Sequence, residues 1–381
     1  MLLNRFARKF SEVKRFAFPV SKWDGHLLPR DVQFPVETYA TEQEILSNWE
    51  KMYTIRRMEI ETDTLYSQRL IRGFCHLYDG QEALATGMEN ALNHKDLVIT
   101  AYRDHANAYL RGISIYEILT EMLGKKDGSS RAKGGSMHFY SKKNNFYGGN
   151  GIVGAQIPVG VGLGFSLKHH KNNENVAVAI FGDGAANQGQ LYEAANMAGL
   201  WKLPVIFVCE MNFFAMGTSV ERSSFGGTDF HKKVYGMPGL KVYGQCPFEV
   251  QAAFDFAKKW AINNGPIYLN IETYRYKGHS MSDPGTTYRV KEMHDLWKTE
   301  RDPVKNLKNY ILDNKIQTEQ EMKEREKTIK AFIEHEVERA MESPEAPLEY
   351  LLQDVYDPKV KNYLRAPNYE DSVFVKEKMI N

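Results

Sequence analysis

The sequence predicts an α/β protein: a doubly wound, mostly parallel sheet with an N-terminal helical arm and C-terminal helices. Between residues 80 and 275, apolar runs alternate with segments of helical period, as in a sheet covered by helices on both faces. The runs 176–181 and 205–209 flank the helical segment 190–201. This order forms a βαβ unit, whose two strands end at the same edge of a parallel sheet.

The elements follow one another in four regions. Residues 1–18 are basic and acid-poor with apolar side chains on one helical face, which is typical of a mitochondrial presequence, the alternative being a surface helix. Residues 19–75 hold a proline-spaced arm and a helix. Residues 76–290 form the α/β domain with a mobile loop at 276–289, and residues 291–381 are predicted to be helical.

Capping boxes (Thr41 with Glu44, Ser114 with Glu117, Thr318 with Glu321) and Asp302 mark helix starts. Strands are expected near 97–101, 176–181, 205–209, 240–243 and 267–275, and helices at 155–170 and 190–201.

Composition excludes several classes of function. A formal net charge of +1 provides no charge excess for binding the phosphate backbone of a nucleic acid. No apolar run approaches the ~20 residues that a membrane span requires. The cysteines Cys75, Cys209 and Cys246 are odd in number and far apart, which favours a reducing compartment over a disulfide framework or a zinc site.

The ends of the two strands in the βαβ unit carry metal-binding residue types. Asp183, between Gly182 and Gly184, follows the first strand, and Asn212 follows the second. One carboxylate and one amide oxygen suit Mg²⁺, which shares its coordination sphere with phosphate oxygens when the protein supplies few ligands. The following helix can offer free N–H groups to an anion. The alternative is that Asp183 only caps a turn and Asn212 is a loop residue.

Further motifs surround this pair, at 72–76, 101–105, 134–138, 147–156, 182–190, 216–222 and 278–285. Together they resemble the α subunit of the pyruvate dehydrogenase first component, a mitochondrial, thiamine diphosphate-dependent 2-oxo acid dehydrogenase. The resemblance implies the thiamine diphosphate-binding fold, Mg²⁺, and oxidative decarboxylation of pyruvate in the mitochondrial matrix. It also implies acetyl transfer to the lipoyl domains of an acyltransferase core, feeding acetyl-CoA production, and an α₂β₂ heterotetramer whose β subunit supplies a catalytic Glu that this chain lacks.

The resemblance also assigns roles to single residues. The implied Mg²⁺ ligands are Asp183, Asn212 and the main-chain carbonyl of Phe214. His76 is implied near the substrate carboxylate and His279 beside the cofactor. The positions implied to bind the cofactor are Tyr102, Arg103 and Arg275 at the diphosphate, Gly151 and Val153 at the aminopyrimidine ring, and Asp183, Gly184, Ala185 and Asn212 in the central motif.

The same resemblance implies regulation of the loop by a kinase and a phosphatase. Ser280 matches the main inhibitory phosphorylation site of the family. Thr287 matches a second site, where the family has Ser. The third site is expected to be lost, since Gly226 and Gly227 stand in place of its serine. A phosphoryl group in this loop would repel the cofactor diphosphate.

Three departures from the family pattern leave alternatives open. Met211, Phe213 and Ala215 stand where Asn, Arg and Gly are usual, and Met211 and Phe213 make a catalytically silent assembly or regulatory paralogue one alternative. A branched-chain 2-oxo acid or acetoin dehydrogenase α subunit is another. A literal G-x-G-x-x-G at 149–154 suggests a nicotinamide-dependent oxidoreductase. We discount that class, because residues 142–147 are polar rather than strand-like and Glu174 falls in a polar loop.

Overall fold

A seven-stranded sheet organises the chain. The computed structural model describes residues 14–170 and 174–353 and two short strands beyond them. The strands are β1 (Arg15–Pro19), β2 (Asp24–His26), β3 (Glu37–Thr41), β4 (Leu97–Ala101), β5 (Phe146–Asn150), β6 (Ala177–Gly182), β7 (Val205–Met211), β8 (Phe214–Ala215), β9 (Thr218–Ser219), β10 (Gly239–Tyr243), β11 (Ile267–Glu272), β12 (Tyr363–Leu364) and β13 (Val373–Phe374). The helices are α1 (Glu42–Ser67), α2 (Glu82–Ala91), α3 (His105–Leu110), α4 (Ile115–Met122), α5 (Gln156–His169), α6 (Gly189–Leu200), α7 (Val220–Ser223), α8 (Pro247–Asn264), α9 (Lys291–Thr299), α10 (Pro303–Asp313) and α11 (Glu319–Glu342).

The main sheet has the order β2-β10-β11-β7-β6-β4-β5. Its strands are parallel except β2, which pairs antiparallel with β10 at one edge. Side chains of β6 and β7 alternate between two apolar clusters, with Ile180 and Val208 in one and Phe181 and Cys209 in the other. Since helices cover both faces of the sheet, these strands are buried throughout. The α/β, mostly parallel fold predicted from the sequence is confirmed.

Local sequence signals explain where several helices begin. The capping boxes of Thr41 with Glu44, Ser114 with Glu117 and Thr318 with Glu321 are all formed. Asp302 caps α10, which starts at Pro303. Each cap satisfies a main-chain N–H that has no partner inside the helix. None of the helices within the described ranges is long and apolar enough to cross a membrane.

The N-terminal segment departs from the predicted helix. Residues 15–18 belong to strand β1, which pairs antiparallel with β3, while residues 1–13 of the predicted presequence lie outside the described residues. Phe16 and Phe18 are buried, and the ring of Phe18 lies 4.2 Å from that of Phe248. The alternation of buried and exposed residues has period two, which suits a strand. The sequence of this segment is compatible with the helical period and with the period of two. The contacts with α1 and α8 favour the strand.

Two other boundaries differ from the prediction. Strand β11 ends at Glu272, so residues 273–275 form the loop that enters the site rather than a longer strand. The C-terminal region is helical up to Glu342, followed by a short 3₁₀ turn, Leu348–Leu352, and the antiparallel pair β12–β13. The prediction of a helical region over 291–381 is therefore wrong for these last elements.

Candidate cofactor site

A cavity of about 350 Å³ opens at the carboxyl ends of β4, β6 and β7. This edge is where parallel α/β sheets bind their ligands. Most of the residues singled out from the sequence meet in this cavity. They are Tyr102, Arg103, Val153, Asp183, Gly184, Ala185, Asn212, Phe214, Arg275 and His279.

Asp183 follows β6 and points an unpartnered oxygen into a buried position. Its carboxylate accepts main-chain hydrogen bonds from Gly184, Phe213 and Asn212, which also shows that the ends of β6 and β7 converge. Burial nevertheless raises the pKa of Asp183 to about 6. The atom Oδ2 is buried and has no hydrogen-bond partner within residues 14–170 and 174–353, although a buried carboxylate oxygen needs a donor or a cation.

Asn212 presents the second unpartnered oxygen. Its side-chain nitrogen Nδ2 donates to Oε1 of Gln81 at 3.1 Å, and its oxygen Oδ1 is buried without a partner. Gln81 is the residue that precedes helix α2 and is fully buried. The two free oxygens therefore belong to neighbouring strand ends in one cavity, and this donor set fits a hard divalent cation. Gln81 was not among the sequence-predicted site residues.

The turn after β7 brings the main chain close to the Asp183 motif. A Cβ atom on Gly184 would lie 2.7 Å from the Cβ of Ala215, closer than side-chain atoms can pack, so glycine is required there. Phe213 and Met216 have positive φ angles of 74° and 56°, which shape the turn around β8 and β9. Met211 belongs to the apolar cluster on the α5 and α6 side of the sheet and is not among the cavity-lining residues.

Both predicted diphosphate-binding arginines are hydrogen-bonded to main-chain carbonyls. Arg103 donates to the carbonyl oxygens of Leu77 and His279 at 2.5 and 2.8 Å. Arg275 donates to the carbonyl oxygens of Lys277 and Met216 at 3.0 and 2.6 Å, and its Nε has no partner. The two guanidinium groups line the cavity and hold its loops at the same time.

The rings of Tyr102 and His279 line the cavity, and the ring of His76, which is not among the lining residues, packs against both. The centroid of the His76 ring lies 4.4 Å from that of Tyr102 and 5.1 Å from that of His279, and the Tyr102 and His279 rings are 5.4 Å apart. Burial and the nearby Arg103 guanidinium lower the pKa of His76 to about 2 and that of His279 to about 3. Both imidazoles are therefore neutral at physiological pH.

Two further polar residues line the cavity and were missed by the sequence analysis. Glu210 is buried at the end of β7, where the hydroxyl of Tyr78 donates to its carboxylate, and burial raises its pKa to about 7. Gln156, at the start of α5, donates to the carbonyl oxygen of Ile180 at 3.0 Å, and its own oxygen Oε1 has no partner. A charged residue inside the apolar run of β7 was the signal that could have revealed Glu210.

The loop 276–289 is attached to the segment before α2. Its main-chain N–H groups at Tyr276 and Met281 donate to the carbonyl oxygens of Asp79 and Cys75 at 3.0 and 2.9 Å. Ser280 is buried and faces a second cavity, of about 390 Å³, on the other side of the loop. Thr287 is exposed, so neither predicted phosphorylation site lines the cofactor cavity.

The region implied at the aminopyrimidine ring lies beside His138. Val153 lines the cavity, whereas Gly151 is not among the lining residues. A Cβ atom on Gly151 would lie 3.3 Å from Cε1 of His138. Nδ1 of His138 lies 3.0 Å from the carbonyl oxygen of Gly149. Of these two residues, Val153 therefore faces the cavity, whereas Gly151 lies beside His138.

The prediction that residues 142–147 are not strand-like is wrong for Phe146 and Tyr147. The motif at 149–154 does follow a strand, because Phe146–Asn150 forms β5 beside β4. A Cβ on Gly149 would lie 2.0 Å from Oδ2 of Asp104, so glycine allows this edge strand to approach α3. The acidic residue about twenty positions after the motif, which the dinucleotide interpretation requires at a strand end, is still not placed there. Glu174 is exposed and precedes β6, at the opposite end of that strand from Asp183.

The sequence matches a known family over most of its length. The family described as "Dehydrogenase E1 component" matches residues 50–349. "Pyruvate dehydrogenase E1 component subunit alpha, mitochondrial" of Solanum tuberosum is 50% identical over 314 residues, covering 82% of this chain and 80% of the relative. The protein of that name from Dictyostelium discoideum is 47% identical over 357 residues, covering 93% and 92%. The testis-specific form of Rattus norvegicus is 46% identical over 338 residues, covering 88% and 85%.

All residues that line the cavity lie within residues 50–349, the range that matches the family. The family implies thiamine diphosphate as cofactor. The chain belongs to the dehydrogenase E1 component family.

Proposed function

We propose that this chain is the α subunit of a mitochondrial pyruvate dehydrogenase first component. With a β subunit, in an α₂β₂ heterotetramer, it decarboxylates pyruvate and passes the acetyl group to the lipoyl domains of an acyltransferase core. The observation that carries the proposal is the pair of buried, unpartnered oxygens of Asp183 and Asn212 in one cavity, within a chain about half identical to mitochondrial relatives of that name.

The donor set fits Mg²⁺. Asp183 and Asn212 would hold the ion with their free oxygens, joined by the main-chain carbonyl of Phe214, whose residue lines the same cavity. Mg²⁺ keeps some coordination positions for water or phosphate oxygens when the protein provides few ligands. Gly184 and Ala185, which line the cavity, would face the anionic end of the cofactor at the start of the segment that follows β6.

The two arginines would contribute positive charge at the diphosphate rather than bidentate hydrogen bonds to it. Arg103 and Arg275 are buried and committed to carbonyl oxygens. Their positive charges still lower the electrostatic cost of placing a diphosphate in a cavity of low dielectric constant. Tyr102 lines the same cavity and packs against the rings of His76 and His279.

Thiamine diphosphate supplies the electron sink that no amino-acid side chain provides for decarboxylating a 2-oxo acid. His76 and His279 are neutral, so each ring carries one N–H that can be donated to the carboxylate or the oxo group of the substrate. Nδ1 of His76 is buried and has no hydrogen-bond partner among the residues that the structure describes. The burial of these rings also keeps water from the reacting carbon.

The β subunit would complete the site. No carboxylate has been assigned to the aminopyrimidine ring in this chain. The exposed side of the Gly151 and Val153 segment is where the β subunit would add its Glu. We further propose that Ser280 and Thr287 are targets of a kinase and a phosphatase. Because Ser280 is buried, the loop must first open for a kinase to reach it.

Met211 does not favour the silent paralogue. Its side chain lies in an apolar cluster away from the cavity, and the free oxygen of Asn212 is present without it. Phe213 packs against Trp297, with ring centroids 5.7 Å apart, so it serves the packing of the loop. The oxygen donors are therefore independent of both departures.

The test is reconstitution. The chain is co-expressed with its cellular β partner, and decarboxylation of pyruvate and of a branched-chain 2-oxo acid is measured with and without thiamine diphosphate and Mg²⁺. We expect turnover of pyruvate that requires both additions and the partner. Preference for the branched substrate, turnover by the isolated chain, or no cofactor binding by the complex would each contradict the proposal.

A further inference from the structure

We infer that Gln81 is a positioning residue that turns the amide oxygen of Asn212 toward the metal position. This inference rests on the proposed function, since it presumes that Asn212 binds Mg²⁺. Gln81 lies outside the cavity-lining residues and reaches the site through a single side-chain contact with Asn212.

An asparagine ligand has an ambiguity that an aspartate does not. Its amide oxygen can coordinate a cation, whereas its NH₂ group, a donor only, cannot. Rotation of the terminal amide by half a turn exchanges the two groups at almost no steric cost. A site that uses asparagine therefore needs a neighbour that distinguishes nitrogen from oxygen.

Gln81 provides that distinction. Its Oε1 accepts from Nδ2 of Asn212 at 3.1 Å, and an oxygen acceptor stabilises only the orientation in which nitrogen faces it. The opposite atom, Oδ1 of Asn212, is buried and free of protein partners. The hydrogen bond thus leaves the oxygen, not the nitrogen, available beside the Asp183 carboxylate.

Nε2 of Gln81 makes no hydrogen bond to the described residues, so the contact with Asn212 orients its amide, while main-chain hydrogen bonds hold its backbone in place. Its main-chain N–H donates to the carbonyl oxygen of Tyr78 at 3.1 Å, and its own carbonyl accepts from Leu84 at 3.0 Å. The neighbouring Gly80 carbonyl accepts from Nε2 of Gln245 at 3.1 Å. Since Gln81 is fully buried, its side chain cannot turn to water, and the geometry of the start of α2 is transmitted to the metal ligand.

Removal of a residue that hydrogen-bonds to a metal ligand typically lowers the metal affinity by about 10- to 100-fold. Gln81→Met keeps the length and removes the acceptor. Gln81→Glu keeps an acceptor oxygen. The decisive control is Asn212→Asp, because a carboxylate offers an oxygen in both orientations and does not need to be turned.

The experiment measures Mn²⁺ affinity by titration of the free-ion electron paramagnetic resonance signal. It uses the α/β complex with saturating thiamine diphosphate, and melting temperatures of all variants are recorded. We expect Gln81→Met to weaken Mn²⁺ binding about tenfold or more, and Gln81→Glu to stay within about threefold of the parent. In the Asn212→Asp background, Gln81→Met should change affinity by less than about threefold.

Equal loss of affinity in the Asn212 and Asn212→Asp backgrounds would overturn the inference, because a structural role would act in both. Unchanged affinity in Gln81→Met alone would overturn it as well. If Gln81→Met does not assemble with the β subunit, the Mn²⁺ affinity of Gln81→Glu is compared with that of the parent. A tenfold loss of Mn²⁺ affinity in Gln81→Glu contradicts the inference. Absence of Mn²⁺ binding by the parent complex would instead contradict the proposed function.

Discussion

Arg103 donates to the main-chain carbonyl oxygen of His279 at 2.8 Å. This bond joins a residue just after β4 to the loop that follows β11, across the mouth of the cofactor cavity. The same guanidinium also holds the carbonyl oxygen of Leu77, so one side chain fixes both segments that carry His76 and His279, the histidines proposed to contact the substrate. A change in the order of the loop 276–289 should therefore change the shape of the cavity, and a change in the cavity should affect the loop.

The first prediction concerns this coupling. Arg103→Lys keeps the charge but cannot span two carbonyl oxygens with a planar fork. We expect thiamine diphosphate affinity of the α/β complex to fall about tenfold or more, and cleavage by trypsin at Lys277 or Arg289 to accelerate. Arg325→Lys, on a surface ion pair with Glu50, is the matched control. Unchanged cleavage in Arg103→Lys would contradict the role of the bond.

The second prediction concerns the contact between Gly184 and Ala215. Gly184→Ala would place its Cβ 2.7 Å from that of Ala215, so the turn must move away from Asp183. Overpacking of this kind costs about 1–3 kcal/mol. We expect loss of cofactor binding measured by fluorescence titration, with recovery in the double variant Gly184→Ala, Ala215→Gly. Failure of the second substitution to restore binding would show that the collision is not the cause.

The third prediction concerns Asp283, which organises the loop. Its carboxylate accepts from the main-chain N–H groups of His279 and Gly285 at 2.6 and 2.9 Å, and from the hydroxyl of Tyr288. Asp283→Ala should increase hydrogen exchange over residues 278–285 with little change in melting temperature, because the loop is a small part of the core. Asp295→Ala, at an exposed position of α9, should leave exchange unchanged. Equal exchange in both variants would refute this role.

The fourth prediction concerns pH and a buried chain of hydrogen bonds beside the site. Nδ1 of His105 lies 2.9 Å from the Glu59 carboxylate, and its Nε2 lies 2.8 Å from Oγ of Ser136. Burial opposes the charged imidazole, but Glu59 outweighs it, and the pKa of His105 is raised above its ordinary value of 6.5. The stabilisation is complete below the unfolded-state pKa and is lost as pH rises through the raised one.

The measurement for this pair is the melting temperature of the parent and of Glu59→Gln between pH 6 and 9. We expect the difference between them to be largest at the acidic end and to shrink as pH rises, since only the parent loses the charged pair. Comparing the two proteins cancels titrations that they share. A difference that grows with pH would contradict the assignment.

Sequence patterns settled those features that depend on local chemistry. The capping boxes located helix starts, because each satisfies main-chain donors within one turn. Apolar runs located β6 and β7, because strands buried on both faces are mostly apolar. From the βαβ order it followed that Asp183 and Asn212 would meet, and they line one cavity.

The tertiary structure decided whatever depends on contacts between distant segments. Strand β5 is glycine-rich, so its strand character came from pairing with β4, and β1 became a strand through its contacts with α1 and α8. Gln81, Tyr78 and Glu210 reached the site through hydrogen bonds between segments more than a hundred residues apart. Local propensity extends over one or two turns, whereas the free energy that orients a buried polar group comes from its partner, and only the folded chain determines which partner that is.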